Sequence, residues 1–563
     1  MNYMALGLAS NTMSINRKAL EIIGQNISNA NVEGYTRQSA QISSYTYGYS
    51  ITPADNGVID VSARITDITR MRNQTIDNSL RKETSSQGSL DAKQTYLDEM
   101  AQLFTDNSSN SMSTSINSFF KSWNTAAQNP EDSSIRGMVI SQGTYLSNAI
   151  NTKMQNLDEM SSRVSSDIKS TVDEINSYIN QLAQVNDDIV KSVSSSVETN
   201  LLLDKKDLIM DKLSALVGVQ VDTDIKNSNN VFIGGIQIVA GKTAMPISVT
   251  EDASHNYHIM STTGKEINVT DGKLAGLLEV KEEIIPQYQA KMDEWAQGIM
   301  TEVNNIHKYG YGQDGSTGLN FFSGTGAADM KVNITDADQV AMSVPTLTSP
   351  TNMNVDNTKL YTSFTLTSQA ANFKTTPDAS GTVVVNGSSV AWDNSQSLET
   401  ILNNIKTATG ISWSFDASSQ KITLSSPPNS STITISDTTG NFGVFTGLGS
   451  ATLKTGSVGD GDNALKIYEL STKNIYGTPA TETVSGRYQS ISTDIGYDAN
   501  INLGSQSAQT SYVASLQESK EGVSGVSIDE EMIKMLQFQR GYQAGAKLAS
   551  VVDEMLQSLL QIT

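Results

Sequence analysis

The sequence predicts a mainly α fold: a long coiled-coil-like helical frame with paired N- and C-terminal helices, carrying an inserted strand-rich α+β domain. Three observations predict it. Apolar residues recur at heptad spacing at both ends of the chain. A longer heptad run fills residues 150–189. Alternating β-type segments concentrate in residues 344–456.

In the first segment Leu6, Met13, Leu20 and Ile27 fall seven apart, with Ala9, Ile23 and Ala30 completing the 3–4 alternation. Leu8, Ile15 and Ile22 form a second row. A helix apolar on two faces needs more than one neighbour to cover it. The stretch NISNANVEGYTRQ ends the segment. Asn31 or Gly34 is placed to take a left-handed stop, and Arg37 to lie near the last carbonyls. At the other end Ile528, Met532, Met535, Tyr542, Ala546, Ala549, Leu556 and Leu559 follow the same alternation, with Gln539 and Asp553 in two of its slots. A frame whose two ends match in pattern is expected to pair its termini.

The longest periodic run comprises Ile150, Met154, Leu157, Val164, Ile168, Ile175, Tyr178, Leu182, Val185 and Ile189, with Ser161 and Thr171 interrupting it. A helix from near Ser133 to near Val193 is on the order of 90 Å long. Further helices are expected near residues 74–105, 112–128, 201–216, 274–308 and 480–521. NNVFIGGIQIVAG alternates around Gly-Gly and reads as a hairpin. In the block 344–456, GTVVVNGSSVAW is a hairpin around Asn386-Gly387, and SLETILNNIKTATG is a short helix ending at Gly410. ISWSFD, KITLSS and TITISD are strands.

Composition narrows the function. The chain has 563 residues, 37% of them hydrophobic, and a formal net charge of -21. Several domains are expected, and nucleic acid is an unsuitable partner for so acidic a chain. There is no Cys, which excludes disulfides, thiolate catalysis and Cys-ligated metals. The first residues lack the basic start and continuous apolar run of a signal peptide. No stretch approaches the ~18 apolar residues of a membrane span, so no membrane insertion is expected.

The motifs that suggest chemistry fail on inspection. GGIQIVAGKT lacks the first Gly of a phosphate loop, because Ile236 stands at that position. GDGDN at 459–463 offers Asp460 and Asp462 as calcium ligands, but Ala464, Leu465 and Ser471 stand where the remaining ligands and Gly are needed. A turn before a helix fits better. His255 and His258 have no carboxylate at a ligand spacing, and His307 sits near a helix end, where a cation suits the dipole. Trp392 and Trp413 are candidate stacking platforms for a glycan, with core packing as the plainer alternative. No G-x-S-x-G elbow is present. No enzyme activity, cofactor or metal is expected.

The ends carry a more specific signal. ALEIIGQNISNANVEGYTRQ resembles the N-terminal signature of flagellar rod, hook and hook-associated proteins, matching it at Asn26, Ile27, Asn29, Gly34, Tyr35 and Arg37. Ser28 replaces an Ala, and Val32-Glu33 replace the usual Thr-Pro. SGVSIDEEMIKMLQFQRGYQAGAKLASVVDEMLQSLL resembles the partner C-terminal signature, including Asp529, Glu530, Glu531, Gln539 and Tyr542. Internally, NLLLDKKD resembles the N-x-L-L-D-x-R-D segment of the flagellar hook-associated protein 1 (FlgK) family, with Lys206 where Arg is usual. NNIHKYGYGQDGSTGLNFF resembles another segment of that family.

The resemblance implies a structural axial protein, self-assembled into a ring at the hook–filament junction. It implies hook protein on the proximal side and the next hook-associated protein on the distal side. It also implies a cytoplasmic export chaperone at the C-terminal helix, and an extracellular location in the bacterial flagellum, reached by type III export without a cleaved signal peptide. A hook or distal-rod protein is the alternative within that class, and a flagellum-borne secreted enzyme or adhesin using residues 344–456 is the alternative outside it.

Three domains are expected: residues 1–50 with 522–563 as the terminal coiled coil of the inner tube layer, residues 51–343 with 457–521 as a long-helix rod with a hairpin region near 220–270, and residues 344–456 as an outward-facing insert. Subunit packing is assigned to Leu6, Met13, Leu20, Asn26, Ile27, Asn29, Gly34, Tyr35 and Arg37. At the other end it is assigned to Ile528, Met532, Met535, Gln539, Tyr542, Ala549, Leu556 and Leu559. Asn26 and Asn29 are expected to reach groups of the next subunit and fix register. The termini are expected to be loose or disordered in a single chain and to fold on assembly.

Overall fold

The computed structural model describes residues 2–46, 61–105, 111–192, 196–223, 229–253, 255–350, 362–427, 430, 432–451, 453–454 and 459–562. Twelve α-helices run in chain order among the described residues: α1 Asn2–Ser28, α2 Gln74–Phe104, α3 Met112–Gln128, α4 Ser133–Lys191, α5 Ser196–Leu216, α6 Lys273–Glu279, α7 Ile285–His307, α8 Leu398–Thr409, α9 Phe442–Phe445, α10 Asp462–Glu469, α11 Val484–Ser524 and α12 Ile528–Ile562. Each expected helix is present with ends shifted by a few residues. The largest shift is in α5, which starts at Ser196. A five-residue π turn, Val280–Ile284, separates α6 from α7 just ahead of Pro286. Proline has no N–H with which to continue the α ladder. No helix among the described residues is long and apolar enough to cross a membrane.

The chain divides into two compact units. One comprises residues 1–99, 161–284 and 497–563, and the other comprises 100–160 and 285–496. The segments expected as one rod domain are thus shared between the two units, and the insert belongs to the second.

In the first unit, α1 and α12 pair, so both ends are helical and packed within the single chain rather than loose. Strands β1 (Gln38–Thr46) and β2 (Val61–Arg70) form an antiparallel hairpin, with a register shift at Gln41/Ile42. The NNVFIGGIQIVAG hairpin pairs Asn229–Ile233 with Ile236–Ala240 around Gly234 and Gly235, both at positive φ. Backbone packing is tight between α2 and its neighbours. A Cβ on Gly88 would lie 2.3 Å from the Ala215 carbonyl, and one on Gly276 2.3 Å from the Ser89 carbonyl. The heptad residues of α4 in this unit, from Val164 to Ile189, are buried. Near the C-terminal end the buried position is Ile179 rather than Tyr178. Thr171 is buried as well, and the Ser161 hydroxyl accepts a hydrogen bond from Lys281 Nζ at 2.7 Å.

His255 and His258 lie on the Ile247–Glu251/Tyr257–Ser261 hairpin, each paired with carboxylates that the sequence reading did not assign to them. His255 Nδ1 is 2.6 Å from Glu251, and His258 lies 2.6 Å from Glu266 and 3.3 Å from Asp252. The first contact spans the hairpin turn, and Glu266 is brought in by its bridge to Met260. The hydrogen bonds to Glu266 and Asp252 raise the His258 pKa. Among the described residues, no group of three or more His, Asp or Glu is placed to hold a metal.

In the second unit an aromatic core gathers Phe119, Phe120 and Trp123 of α3 with Phe321 and Phe322, with ring centroids 4.8–6.3 Å apart. His307 packs against Trp123 and Phe321. It is not the dipole-stabilising cation expected at the helix end. Its Nδ1 lies 2.7 Å from the Leu319 carbonyl, and its Nε2 accepts from the Ala341 N–H at 3.0 Å. An acceptor nitrogen carries no proton, and burial lowers the pKa to about 4, so the ring is neutral. GDGDN is a turn before α10, with Asp460 accepting from the backbone of Asp462 and Val344.

The insert is built as its turn chemistry dictates. Asn386 and Gly387 have φ of 47° and 83°, the two positive values that a tight hairpin needs. They join strands Ser380–Val385 and Ser388–Asp393. α8 starts at a Ser397 cap and stops at Gly410 in the left-handed conformation. Two sheets of three and four strands enclose one apolar cluster. Trp392 belongs to that cluster and packs against Phe442 and Phe445. Trp413 is half-buried, with Nε1 bonded to Asn403 at 3.0 Å. Trp392 is therefore core, and a pair of exposed stacking platforms is not formed.

Candidate subunit-packing site

The terminal helices approach closely because small residues line their seam. A Cβ on Gly541 would lie 2.5 Å from Asn16 Oδ1, and one on Gly545 3.0 Å from Met13 Cγ and 3.5 Å from the Ala9 carbonyl. On α1 the buried positions are Ala9, Ile15, Ala19, Ile22, Ile23 and Asn26. This is the row through Ile15 and Ile22, joined by Ala9 and Ile23. The row through Leu6, Met13, Leu20 and Ile27 runs along its flank, with Leu6 exposed and the others half-buried.

On α12 the buried series is Glu531, Gly545 and Val552, with Met535, Phe538, Ala549 and Leu556 half-buried beside it. The expected seam contained Ile528, Met532, Gln539, Ala546 and Asp553, and all five are exposed. Met535, Ala549 and Leu556 are common to both series. Tyr542 is largely exposed, and the side chain of Leu559 lies outside those described. The seam turns toward Glu531 because that carboxylate has partners there, and toward Gly545 because a Cβ there would crowd the Met13 side chain at 3.0 Å. The face left open carries Ile528, Met532, Ile533 and Leu536 in the first turns, with Leu548 and Met555 further along.

Asn26 is the centre of the seam's polar end, with 0% exposure. Its Nδ2 donates to Glu531 Oε2 at 2.8 Å and to the Gln38 carbonyl at 2.9 Å. Its Oδ1 accepts from Tyr35 Oη at 2.8 Å and from the Gln38 N–H at 3.0 Å. An amide has two donors and two acceptor sites, so its capacity is used within the chain. The expectation that Asn26 reaches the next subunit is therefore replaced by an intrachain role. Burial pushes the Tyr35 hydroxyl up to about 12, helped by Asp204 and Glu531. Lys534 balances Glu531 at 2.7 Å.

Asn29 is half-buried, and its amide bonds only locally, to the Gln25 carbonyl at 2.9 Å. Gly34 takes the left-handed stop at φ 80°, and a Cβ there would meet Leu208 at 3.1 Å. Arg37 does not cap the helix carbonyls. Its guanidinium pairs with Glu530 at 3.0 Å, and its N–H donates to the Ser524 carbonyl at 2.9 Å.

Below this lies a charged cluster that sequence reading did not identify as a site. Asp204 accepts from the Thr36 N–H at 3.1 Å and pairs with Arg70 at 2.8 Å. Asp207 meets Arg70, Arg72 and Arg81 at 2.8, 2.7 and 3.2 Å. Asp211 joins Arg81 at 2.6 Å and Lys520 at 2.7 Å. Asn200 donates to the Ile68 carbonyl at 2.8 Å. Burial alone would raise the Asp207 pKa. The three guanidinium groups outweigh it and hold the carboxyl at about 2. Burial lowers the Lys206 amine to about 8.

The NLLLDKKD segment thus supplies a polar face of α5 that ties α2 and the β1–β2 hairpin together, and Asp211 one turn further extends it to Lys520 in the last turns of α11. The advance signal was the resemblance of NLLLDKKD to a family segment, which marks the stretch without naming the partners of its acids.

The matches to known proteins agree with this geometry. Residues 97–322 match the family described as the flagellar hook-associated protein FlgK helical domain. Residues 522–562 match the flagellar basal body rod FlgEFG protein C-terminal family, and residues 6–36 the flagella basal body rod protein family. These two cover the paired helices and the hub between them. The chain is similar to flagellar hook-associated protein 1 of Salmonella typhimurium, 26% identical over 97% of each chain. It is similar to that of Escherichia coli K12, 25% identical over 97% of each, and to that of Bacillus subtilis, 21% identical over 99% of this chain and 98% of the other. The structure of the flagellar hook junction protein FlgK from Burkholderia pseudomallei shares the fold with a TM-score of 0.57 at 19% identity. It covers 80% of this chain and 100% of that one. Its terminal signatures, its helical domain and its end-to-end similarity to these relatives support placing the chain with the flagellar hook-associated protein 1 family.

Proposed function

We propose that this chain builds the junction between hook and filament by packing the open faces of α1 and α12 against neighbouring copies. It is a structural component of the flagellum, and the work asked of it is association rather than chemistry. The observation that carries the reading is that the side of α12 turned away from α1 keeps large apolar side chains exposed, as does the start of α1. Leu6 and Leu8 on α1, and Ile528, Met532, Ile533, Leu536 and Met555 on α12, are on the terminal helices. The cluster Ile528, Met532, Ile533 and Leu536 in the first turns of α12 is the kind of exposed apolar surface that marks an interaction site.

Around a ring each copy presents one surface to the next and receives it on another, a heterologous contact that closes. Hook protein on the proximal side and the next hook-associated protein on the distal side complete the reading. So does an export chaperone covering the α12 face before type III export. The open apolar stripe supplies the physical reason for such a chaperone, since an amphipathic helix suits a hydrophobic groove. Met532 and Met555, both exposed, suit contacts with non-identical neighbours, because the thioether chain repacks easily, whereas Met535 is half-buried beside the intrachain seam.

Deleting the gene and viewing the cells tests the junction reading. Complete hooks without filaments, with flagellin shed into the medium, are expected. Absent hooks would favour a rod or hook protein instead. Removing residues 524–563 should leave a soluble chain that does not assemble, and normal filaments from that truncation would refute the role of the terminal pair.

A further inference from the structure

The chain has 20 methionines and no cysteine, so thioethers are its only sulfur targets for oxidation. Their exposure divides sharply. Met100, Met210, Met292, Met330 and Met342 are fully buried in the two units. Met532 and Met555 are 52% and 56% exposed, ahead of Met71 and Met138 at 37% and 36%. Among the described residues, the two most exposed methionines both lie on α12, away from its buried row. Met532 stands among Ile528, Ile533 and Leu536, and Met555 one heptad beyond Leu548.

We infer that Met532 and Met555 are peroxide-oxidation sites, through which an unassembled chain loses the ability to dock its C-terminal helix. This inference rests on the reading of that face as a docking surface. The step is a two-electron oxygen transfer. The thioether sulfur attacks one oxygen of a hydroperoxide, the O–O bond breaks, and an S–O bond forms. The sulfur is oxidised, the peroxide is reduced, and hydrogen peroxide leaves water. The product sulfoxide is a strong hydrogen-bond acceptor at the centre of an apolar patch. Docking would then bury a polar oxygen with no donor opposite it, which opposes association. The step acts only before assembly, because docking buries the same sulfurs. The chain is thereby sensitive to peroxide while free and protected once incorporated.

The test uses purified full-length chain, treated with hydrogen peroxide, freed of it, and added to hook-bearing cells of a deletion strain. Peptide mass spectrometry maps the sulfoxides, and electron microscopy counts restored filaments. Met532 and Met555 are expected to oxidise at least about tenfold faster than Met292, Met330 and Met342. Oxidised wild type is expected to restore about tenfold fewer filaments than untreated chain. The double variant M532L/M555L, which offers no thioether at either site, is compared only with its own untreated level, and peroxide is expected not to lower that level. Should that variant not restore filaments even untreated, treatment of the oxidised wild type with methionine sulfoxide reductases decides. Recovery supports the inference, and no recovery overturns it. Normal filaments from wild type carrying both sulfoxides would also overturn it. Untreated Ile533→Asp tests the docking face separately. If it assembles normally, the reading of the face is at fault, whatever the peroxide result.

Discussion

Asn26 and Glu531, 505 residues apart in sequence, meet at 2.8 Å in the buried seam between the first and last helices. The amide satisfies a carboxylate that is only 2% exposed, and the same side chain holds Tyr35 and both backbone groups of Gln38. One residue therefore fixes the register of α1 on α12 and the path of the chain into β1.

Asn26→Leu removes these four hydrogen bonds at once and leaves Glu531, Tyr35 and Gln38 short of partners. Leaving such groups unsatisfied is expected to cost about 3 kcal/mol. Urea unfolding, with amide exchange read out on α1 and α12, measures it. Asn29→Leu loses only a local bond. It is expected to change stability by less than about 0.5 kcal/mol, while impairing assembly. A stable Asn26→Leu chain would show that the hub is dispensable.

Asp207 ties the charged cluster to acid stability. Its folded pKa of about 2 lies below the ordinary value of 3.8. The unfolded chain binds the proton first, so the contribution is fully present above about pH 4 and is lost as pH falls through about 2. That pH-dependent part is about 2 kcal/mol. Asp207→Asn is expected to be less stable at neutral pH and to show a shallower loss between pH 4 and 2. Unfolding curves at stepped pH compare the two slopes.

His307 has a separate window. Its pKa falls from 6.5 to about 4 on folding, so the unfolded chain takes up a proton that the folded ring refuses. Stability from this group is present above pH 6.5 and declines as pH drops toward 4. His307→Gln is expected to be less stable at pH 7 but to lose that slope. Thermal unfolding between pH 7 and 4, with tryptophan fluorescence reporting near Trp123, checks it.

The frame was legible because its signals are local. Heptads over α4, the Asn386-Gly387 turn and the Gly410 stop each specify structure through a few neighbouring residues. The face of α12 was not legible, because its buried row contains Glu531 and Gly545, which do not look like core. An acid counts as surface until Asn26 and Lys534 are seen beside it, and a glycine until the Met13 side chain of α1 is seen above it. The charged cluster was hidden for the same reason. Asp204 and Asp207 acquire partners only when the hairpin returns Arg70 and Arg72 to α5. His307 was misjudged because its helix end is covered by the aromatic core and the Ala341 N–H, which sequence position does not reveal.

The docking face itself is tested most directly at Ile533, which is 67% exposed and makes no demand on the folded chain. Ile533→Asp is expressed in a strain lacking the gene, and filaments are counted by electron microscopy, with circular dichroism verifying the fold. The expected result is a folded, soluble chain, complete hooks and no filaments. Filaments of normal number and length would contradict the claim that the open face of α12 joins one copy to the next.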